Sequence, residues 1–537
     1  MRRSRNFAAF PNLEFDFVIV GAGSAGCALA ARLAERTNAQ VALLEAGPRD
    51  RNVWIHIPVG YYRSKLNRQI NWDYKTEPER ELNGRQITWP RAKVLGGCSA
   101  INGLLYIRGH PKDYDSWVEH GAAGWSWNDM LPIFRRMEDQ ERGADEFHGA
   151  GGPLGVVDLK PRHPLMDAYI KAAGEIGLNP NEDFNGPSQD GIGYFQLTER
   201  NGWRCSAATA YQIGSRHRKN LTVLTNSQVS QIMFEGRRAV GLKLLHDGSV
   251  ITARREIILA AGVIGSPQLL ELSGIGDPEL LRAHDISVLH PNPNVGENLQ
   301  DHLQVKLVFR ASKPVTLNDV LNNPFKKIGI ALEFALRRTG LMTIGPSQVC
   351  GFARILPGAT RPDMQIHATA ASSDDPVRGM DRFPGFTTSV SQMRPESRGS
   401  IHIQSGDPRR SPIIRANYLH AELDRKFFVR SVRYARQIAR QSAIADFYDA
   451  ELRPGNEVQN HDELLDFVRE TATTNYHPVG TCRIGPDGNG VVDAKLRVYG
   501  TENLRVADAS VMPVIVSGNT NAPTIAIGER LADIIAG

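Results

Sequence analysis

Residues 15–20, Phe-Asp-Phe-Val-Ile-Val, run without a break into Gly21-Ala-Gly23-Ser24-Ala25-Gly26. Nothing else in the chain constrains its fold as tightly. The apolar run reads as a buried strand. Cys27 to Glu35 then carries small or apolar residues at helical spacing, Ala28, Leu29, Ala31 and Leu33 among them. Val41-Ala-Leu-Leu-Glu45 reads as the next strand and ends in a carboxylate 24 positions after Gly21. A glycine triplet alone is a weak signal. Between a strand and a helix, with an acidic residue at this distance, it opens a dinucleotide-binding βαβ unit. Gly21 makes the tight turn, Gly23 admits the pyrophosphate to the backbone, and Gly26 lets helix and strand pack closely. The helix start at Ser24 and Ala25 offers free N–H groups to the phosphates, and Glu45 accepts from the adenosine ribose. The competing reading is a glycine turn with no ligand. Flavoenzymes that use NAD(P)H carry a second such fingerprint as a rule; this sequence has one, which favours FAD alone, reduced by the substrate.

Two later stretches extend the same lobe. Glu256-Ile-Ile-Leu-Ala-Ala-Gly262 is a strand running into glycine, with a helix expected from Gly265. Near the end, Leu504 to Asp508 reads as a short strand, and Asn521-Ala-Pro-Thr opens a last helix over Ile525–Ile535. The fold expected is α/β joined to α+β: a Rossmann-like FAD-binding domain in three pieces, 14–160, 201–304 and 466–537, beside a mixed-sheet substrate-binding domain, 305–465. Residues 161–200 are assigned to the substrate lobe, and Ala421–Gln441 within 305–465 has the pattern of an amphipathic helix.

Composition removes other classes. Of 537 residues, 41% are apolar and 23% charged, ordinary for a globular chain, and 50 glycines (about 9%) exceed the usual ~7%. A net charge of +5 at this length is too weak to imply a nucleic-acid partner. Arg2, Arg3 and Arg5 are followed by no apolar signal region. The apolar stretches Phe17–Ala31 and Ile257–Leu270 fall short of the ~20 residues a bilayer requires. Cys27, Cys98, Cys205, Cys350 and Cys482 have neither zinc spacing nor a secreted framework. The expectation is no metal, inert thiols with Cys98 the only one placed for consequential oxidation, and a reduced cytoplasmic setting, with peripheral contact at the inner membrane face left open.

Pro90-Arg-Ala-Lys-Val94-Leu-Gly-Gly97-Cys-Ser-Ala-Ile-Asn102 could pass flat against a planar ring, with Asn102 at its edge. With the N-terminal fingerprint, Gly265-Ser-Pro-Gln-Leu-Leu-Glu-Leu-Ser-Gly-Ile-Gly276, Arg394-Pro-Glu-Ser-Arg-Gly399, His477-Pro-Val-Gly-Thr and Asn519-Thr-Asn521, the chain resembles the glucose–methanol–choline (GMC) oxidoreductases over nearly its whole length. The resemblance implies FAD and hydride abstraction from an alcohol. It further implies Trp72 and the Val229 backbone near the adenosine half, Val94, Gly97 and Leu104 near the isoalloxazine, and Asp508 and Ala509 along the ribityl chain.

His477 precedes Pro-Val-Gly as the family's catalytic histidine does, and a neutral imidazole suits removal of a hydroxyl proton near neutral pH. Asn521 matches the partner position and is expected at the N-cap of the last helix, while His302 is read either as a residue supporting the site from behind or as a structural one. The function expected is oxidation of a primary alcohol to the aldehyde. His477 is the base, Asn521 holds the substrate oxygen, flavin N5 takes the hydride, and a quinone or oxygen receives the electrons. A hydroxynitrile lyase on the same scaffold and an NAD-dependent dehydrogenase are the alternatives. Relatives with histidyl-linked flavin carry histidine where this chain has Ile101, so FAD should be non-covalent. Choline-oxidising relatives carry glutamate where this chain has Gln304, so the alcohol should be uncharged.

Overall fold

The structure, a computed structural model, describes residues 13–213, 217–373 and 379–537; the Arg2, Arg3 and Arg5 cluster lies outside them. In chain order the framework is β1 (Leu13–Val20), α1 (Ser24–Arg36), β2 (Val41–Glu45), β3 (Gly191–Tyr194), β4 (Leu221–Thr225), β5 (Val229–Glu235), β6 (Arg238–Leu244), β7 (Val250–Leu259) and α2 (Gly262–Leu272). There follow β8 (Leu303–Ala311), α3 (Pro324–Arg337), β9 (Val349–Ala353), β10 (Met364–Thr369), β11 (Gly385–Gln392), α4 (Glu422–Ala439), β12 (Tyr448–Arg453), β13 (Leu504–Val506) and α5 (Asn521–Ala536).

The first sheet runs β4-β2-β1-β7-β6-β5, with β13 also beside β7. β1, β2, β4, β7 and β13 are parallel, and β5 and β6 close one edge as antiparallel strands. β1 aligns Phe17–Val20 with Val41–Leu44 on one side and Glu256–Leu259 on the other. Its apolar run is nearly continuous because a parallel strand in mid-sheet is covered on both faces. α1 and α2 both begin at the carboxyl ends of these strands, the edge at which open α/β sheets bind ligands.

The second sheet runs β12-β8-β11-β10-β9-β3, antiparallel throughout, so Gly191–Tyr194 of the 161–200 segment belongs to it. β8 shows why the register matters. Leu303, Val305, Leu307 and Phe309 enter the core that α4 covers with Phe427, Phe428 and Val432; each such side chain, fully buried, is worth about 1.5–3 kcal/mol. Gln304, Lys306 and Val308 alternate onto the opposite face and line a cavity. A slip of one residue would exchange the two sets.

α2 starts at Gly262, three residues before the position expected from sequence. The extra turn is held from far away: the Asp508 carboxylate accepts from Gly262 N–H (2.8 Å) and the Ser266 hydroxyl (2.6 Å). Among the described residues no helix is long and apolar enough to cross a membrane, and no cluster of His, Cys, Asp or Glu could hold a metal.

Candidate active site

Between the strand ends of the first sheet and the inner face of the second lies a cavity of about 840 Å³, near the upper end of ligand pockets at roughly 300–1,000 Å³. Gly21, Gly23, Ser24, Ala25, Glu45, Trp72, Gly97, Asn102, Val229, Asp508 and Ala509 line it, as do His477, Asn519 and Asn521.

The glycines divide the work as their positions demand. Gly21 has φ +103°, and a Cβ on it would stand 2.4 Å from Ala260 O; a Cβ on Gly26 would stand 2.0 Å from Gly21 O. Gly26 is therefore a packing glycine, off the cavity wall. A Cβ on Gly23 meets nothing nearer than Gly97 Cα at 4.0 Å and would occupy the cavity itself. α1 has no side-chain cap, so its first N–H groups are left for an anion. This cradle fits an FAD pyrophosphate. Glu45 Oε1 accepts from Gly47 N–H at 2.8 Å and Oε2 from Ala22 N–H at 3.1 Å, which fixes the carboxylate on the wall with lone pairs spare for a ribose. Burial pushes its pKa up to about 7 against the pull of these two amides. Trp72 stacks on Tyr74, with the Lys93 ammonium 4.2 Å over its ring.

Some expected positions are placed otherwise. Val94 and Leu104 are wholly buried in separate apolar clusters, off the cavity wall. Leu104, at φ +65°, is held by Asn102 Oδ1 on its N–H (3.1 Å) and by Thr198 N–H on its carbonyl (2.8 Å). Asn102 Oδ1 also accepts from Arg204 (2.7 Å), leaving only its amide nitrogen for a ring edge. Asp508 spends its carboxylate on the start of α2 and on Ser510 N–H. Asn521 is the first residue of α5 and not its N-cap, which is Thr520. Its Oδ1 accepts from the Ser24 hydroxyl at 2.8 Å.

The amide at His477 is Asn519, whose Nδ2 lies 3.1 Å from His477 Nε2. Composition could not separate the two asparagines of Asn519-Thr-Asn521. The start of α5 does, by turning the second towards α1 and leaving the first at the imidazole. His302, read from sequence as supporting the site or as structural, takes the first of these roles: the two Nδ1 atoms are 3.1 Å apart. The tautomers follow. His302 Nε2 faces the Met393 carbonyl at 3.2 Å, which can only accept, so this nitrogen carries the proton. Burial lowers the His302 pKa to about 4; the ring is neutral and its Nδ1 accepts. His477 Nδ1 must therefore donate, and His477 Nε2 is the bare nitrogen, accepting from Asn519. Asp301 completes the setting. It takes the His477 backbone N–H (2.8 Å) and the Tyr418 and Thr474 hydroxyls (2.5 Å each). Burial, and then the nearby His302, His367 and Arg91, hold the His477 pKa well below 6.5.

Known proteins share this architecture. The GMC oxidoreductase family is matched by its N-terminal part over residues 15–304 and its C-terminal part over 395–528. Similar curated proteins include the mitochondrial choline dehydrogenase of Mus musculus, 43% identical over 99% of this chain and 91% of that protein. Another is the alcohol dehydrogenase [acceptor] of Pseudomonas putida, 39% identical over 97% and 95%. Among solved structures, pyridoxine 4-oxidase from Mesorbium loti superposes with TM-score 0.87 at 33% identity, covering 96% of this chain and 98% of that one. Formate oxidase superposes with TM-score 0.90 at 27% identity, covering 98% and 99%.

Proposed function

From the premise that the chain belongs to the GMC oxidoreductase family, and is thus an FAD-dependent oxidoreductase acting on alcohols, we propose that it oxidises a primary alcohol to the aldehyde with His477 Nε2 as the base. The observation that carries this reading is the relay Met393 O, His302, His477, Asn519, which leaves one unprotonated nitrogen at the cavity wall. FAD, when bound, supplies the hydride acceptor. The alcohol oxygen takes over the bond between the two side chains, accepting from Asn519 Nδ2–H and donating its proton to His477 Nε2. The proton stays there, because His302 is too weak a base to take the one on Nδ1. A quinone or oxygen is the eventual electron acceptor in this reading.

Four outcomes test it. Asn519→Ala should lower kcat by about 10²–10³-fold, the scale of one positioned donor; Asn521→Ala should cost less, since that side chain bonds Ser24. A histidine whose pKa is lowered loses its bare nitrogen only as pH falls through that lowered value. The acid limb of kcat/KM should therefore lie below pH 6.5; His302→Phe, which frees the tautomer, should lower kcat by ~10²-fold and move that limb. Gln304 donates to Thr474 O at 3.0 Å and carries no charge, so benzyl alcohol and a medium-chain primary alcohol should exceed choline in kcat/KM. A higher value for choline would contradict the assignment of that wall. Ile101, an aliphatic residue on the cavity wall, cannot form a flavin link, so acid precipitation should leave a yellow supernatant and a colourless pellet.

A further inference from the structure

On the inner face of the second sheet, Lys306 lines the cavity between Gln304 and Val308. It makes no hydrogen bond or ion pair among the described residues, and its electrostatic neighbours are Tyr476 and two further cations, Lys65 and Arg453. Lys65 reaches only the Tyr476 hydroxyl, at 3.4 Å. The carboxylates on the described wall are Glu45 and Asp508, both fixed at the dinucleotide end by backbone N–H groups. Lys306 is thus open to the cavity with no carboxylate paired to it, and an anion entering on this side would meet an uncompensated cation. Leu317, Leu321, Leu341, Met342 and Ile344 give the same side an apolar wall. Lys306 lies four positions after His302, which immediately precedes the strand, a span of about 13 Å at ~3.3 Å per residue.

We propose that the substrate is an alcohol carrying a negatively charged group, a hydroxy acid with a hydrocarbon spacer, whose carboxylate pairs with Lys306 while its hydroxyl meets His477 and Asn519. This rests on the alcohol-oxidising reading above and replaces the uncharged substrate expected from sequence. The test compares kcat/KM for 8-hydroxyoctanoate, its methyl ester and 1-octanol in the holoenzyme. The acid should exceed the ester by about tenfold or more, and Lys306→Met should bring the ratio close to one. Octanoate should compete with 1-octanol better than octanamide does, a measurement that needs no variant. An acid no better than its ester, or a preference that survives Lys306→Met, overturns the proposal. Turnover of none of the three would instead count against the alcohol-oxidising reading itself.

A different observation carries a second proposal. α3 docks through one narrow face: Phe334 is buried, Ile330 lines the cavity, and Arg338 lies over Trp203. On the opposite face, Phe325 (82% exposed), Ile328 (59%), Leu332 (56%) and Leu336 (82%) form a continuous stripe turned away from the protein. Lys326, Lys327 and Arg337 are exposed on the helix off this stripe, against a single acidic residue, Glu333. An apolar stripe with exposed cations off it is the arrangement of a helix lying in an anionic bilayer surface. We infer that α3 inserts there and sets the mouth of the cavity against the lipid. The full-length holoenzyme should float with vesicles of phosphatidylcholine and phosphatidylglycerol, less with phosphatidylcholine alone, and less at high salt. Phe325→Ser/Leu332→Ser/Leu336→Ser should stay in solution while keeping turnover of a water-soluble alcohol. Failure of the wild type to float, equal flotation of the triple variant, or a dimer that the triple variant abolishes would overturn this inference.

Discussion

Replacing His477 with alanine should leave a folded, yellow protein that has lost turnover by about 10²–10⁴-fold, the range for removal of a general base. The side chain makes no hydrogen bond to the Gly21–Gly26 turn. Its ring bonds are those to His302 and Asn519. Flavin content and melting temperature should therefore change little while kcat collapses. The loss should fall on kcat and on kcat/KM together, because the proton transfer is made only in the transition state. Near-normal turnover in this variant, measured at matched flavin content, would remove His477 from the chemistry.

The second large effect separates two glycines that differ in role although they lie three residues apart in the chain. Gly23→Val should give a folded protein that no longer retains FAD. Gly23 has φ −83°, which any residue adopts, and its added carbons would enter the phosphate cradle and not the protein interior. Gly26→Val should fail differently, because its Cβ would stand 2.0 Å from the Gly21 carbonyl oxygen, and the β1–α1 packing must give way. Flavin absorbance per chain and melting temperature, read together, distinguish them. A Gly23→Val protein that purifies yellow at full occupancy would contradict the placement of the pyrophosphate.

The β1-α1-β2 unit was legible in the sequence because its signals are local: an apolar run, three glycines and a carboxylate at fixed spacing. The helix expected over Ala421–Gln441 is observed over Glu422–Ala439 for the same reason. What escaped was set by distant partners. The early start of α2 depends on Asp508, some 240 residues away in sequence, and Asn519 differs from Asn521 only by the turn that begins α5. His302 carries no local mark of its contact with His477, since 175 positions separate them. Lys306 reads as an ordinary strand residue until the sheet turns it inward. Val94 and Leu104 adjoin the stretch Gly97–Asn102 on the cavity wall, but their side chains are buried in apolar clusters away from it.

The most direct test of alcohol oxidation at the His477 site is anaerobic. Purified wild-type protein and His477→Ala are each mixed with a medium-chain primary alcohol in the absence of any acceptor, and the flavin absorbance is followed. The wild type should bleach within its turnover time and the variant should stay yellow over the same interval. A wild-type flavin that remains fully oxidised with every alcohol tried would contradict the account and point to a lyase on the same scaffold; equal bleaching in the two proteins would contradict the role given to His477.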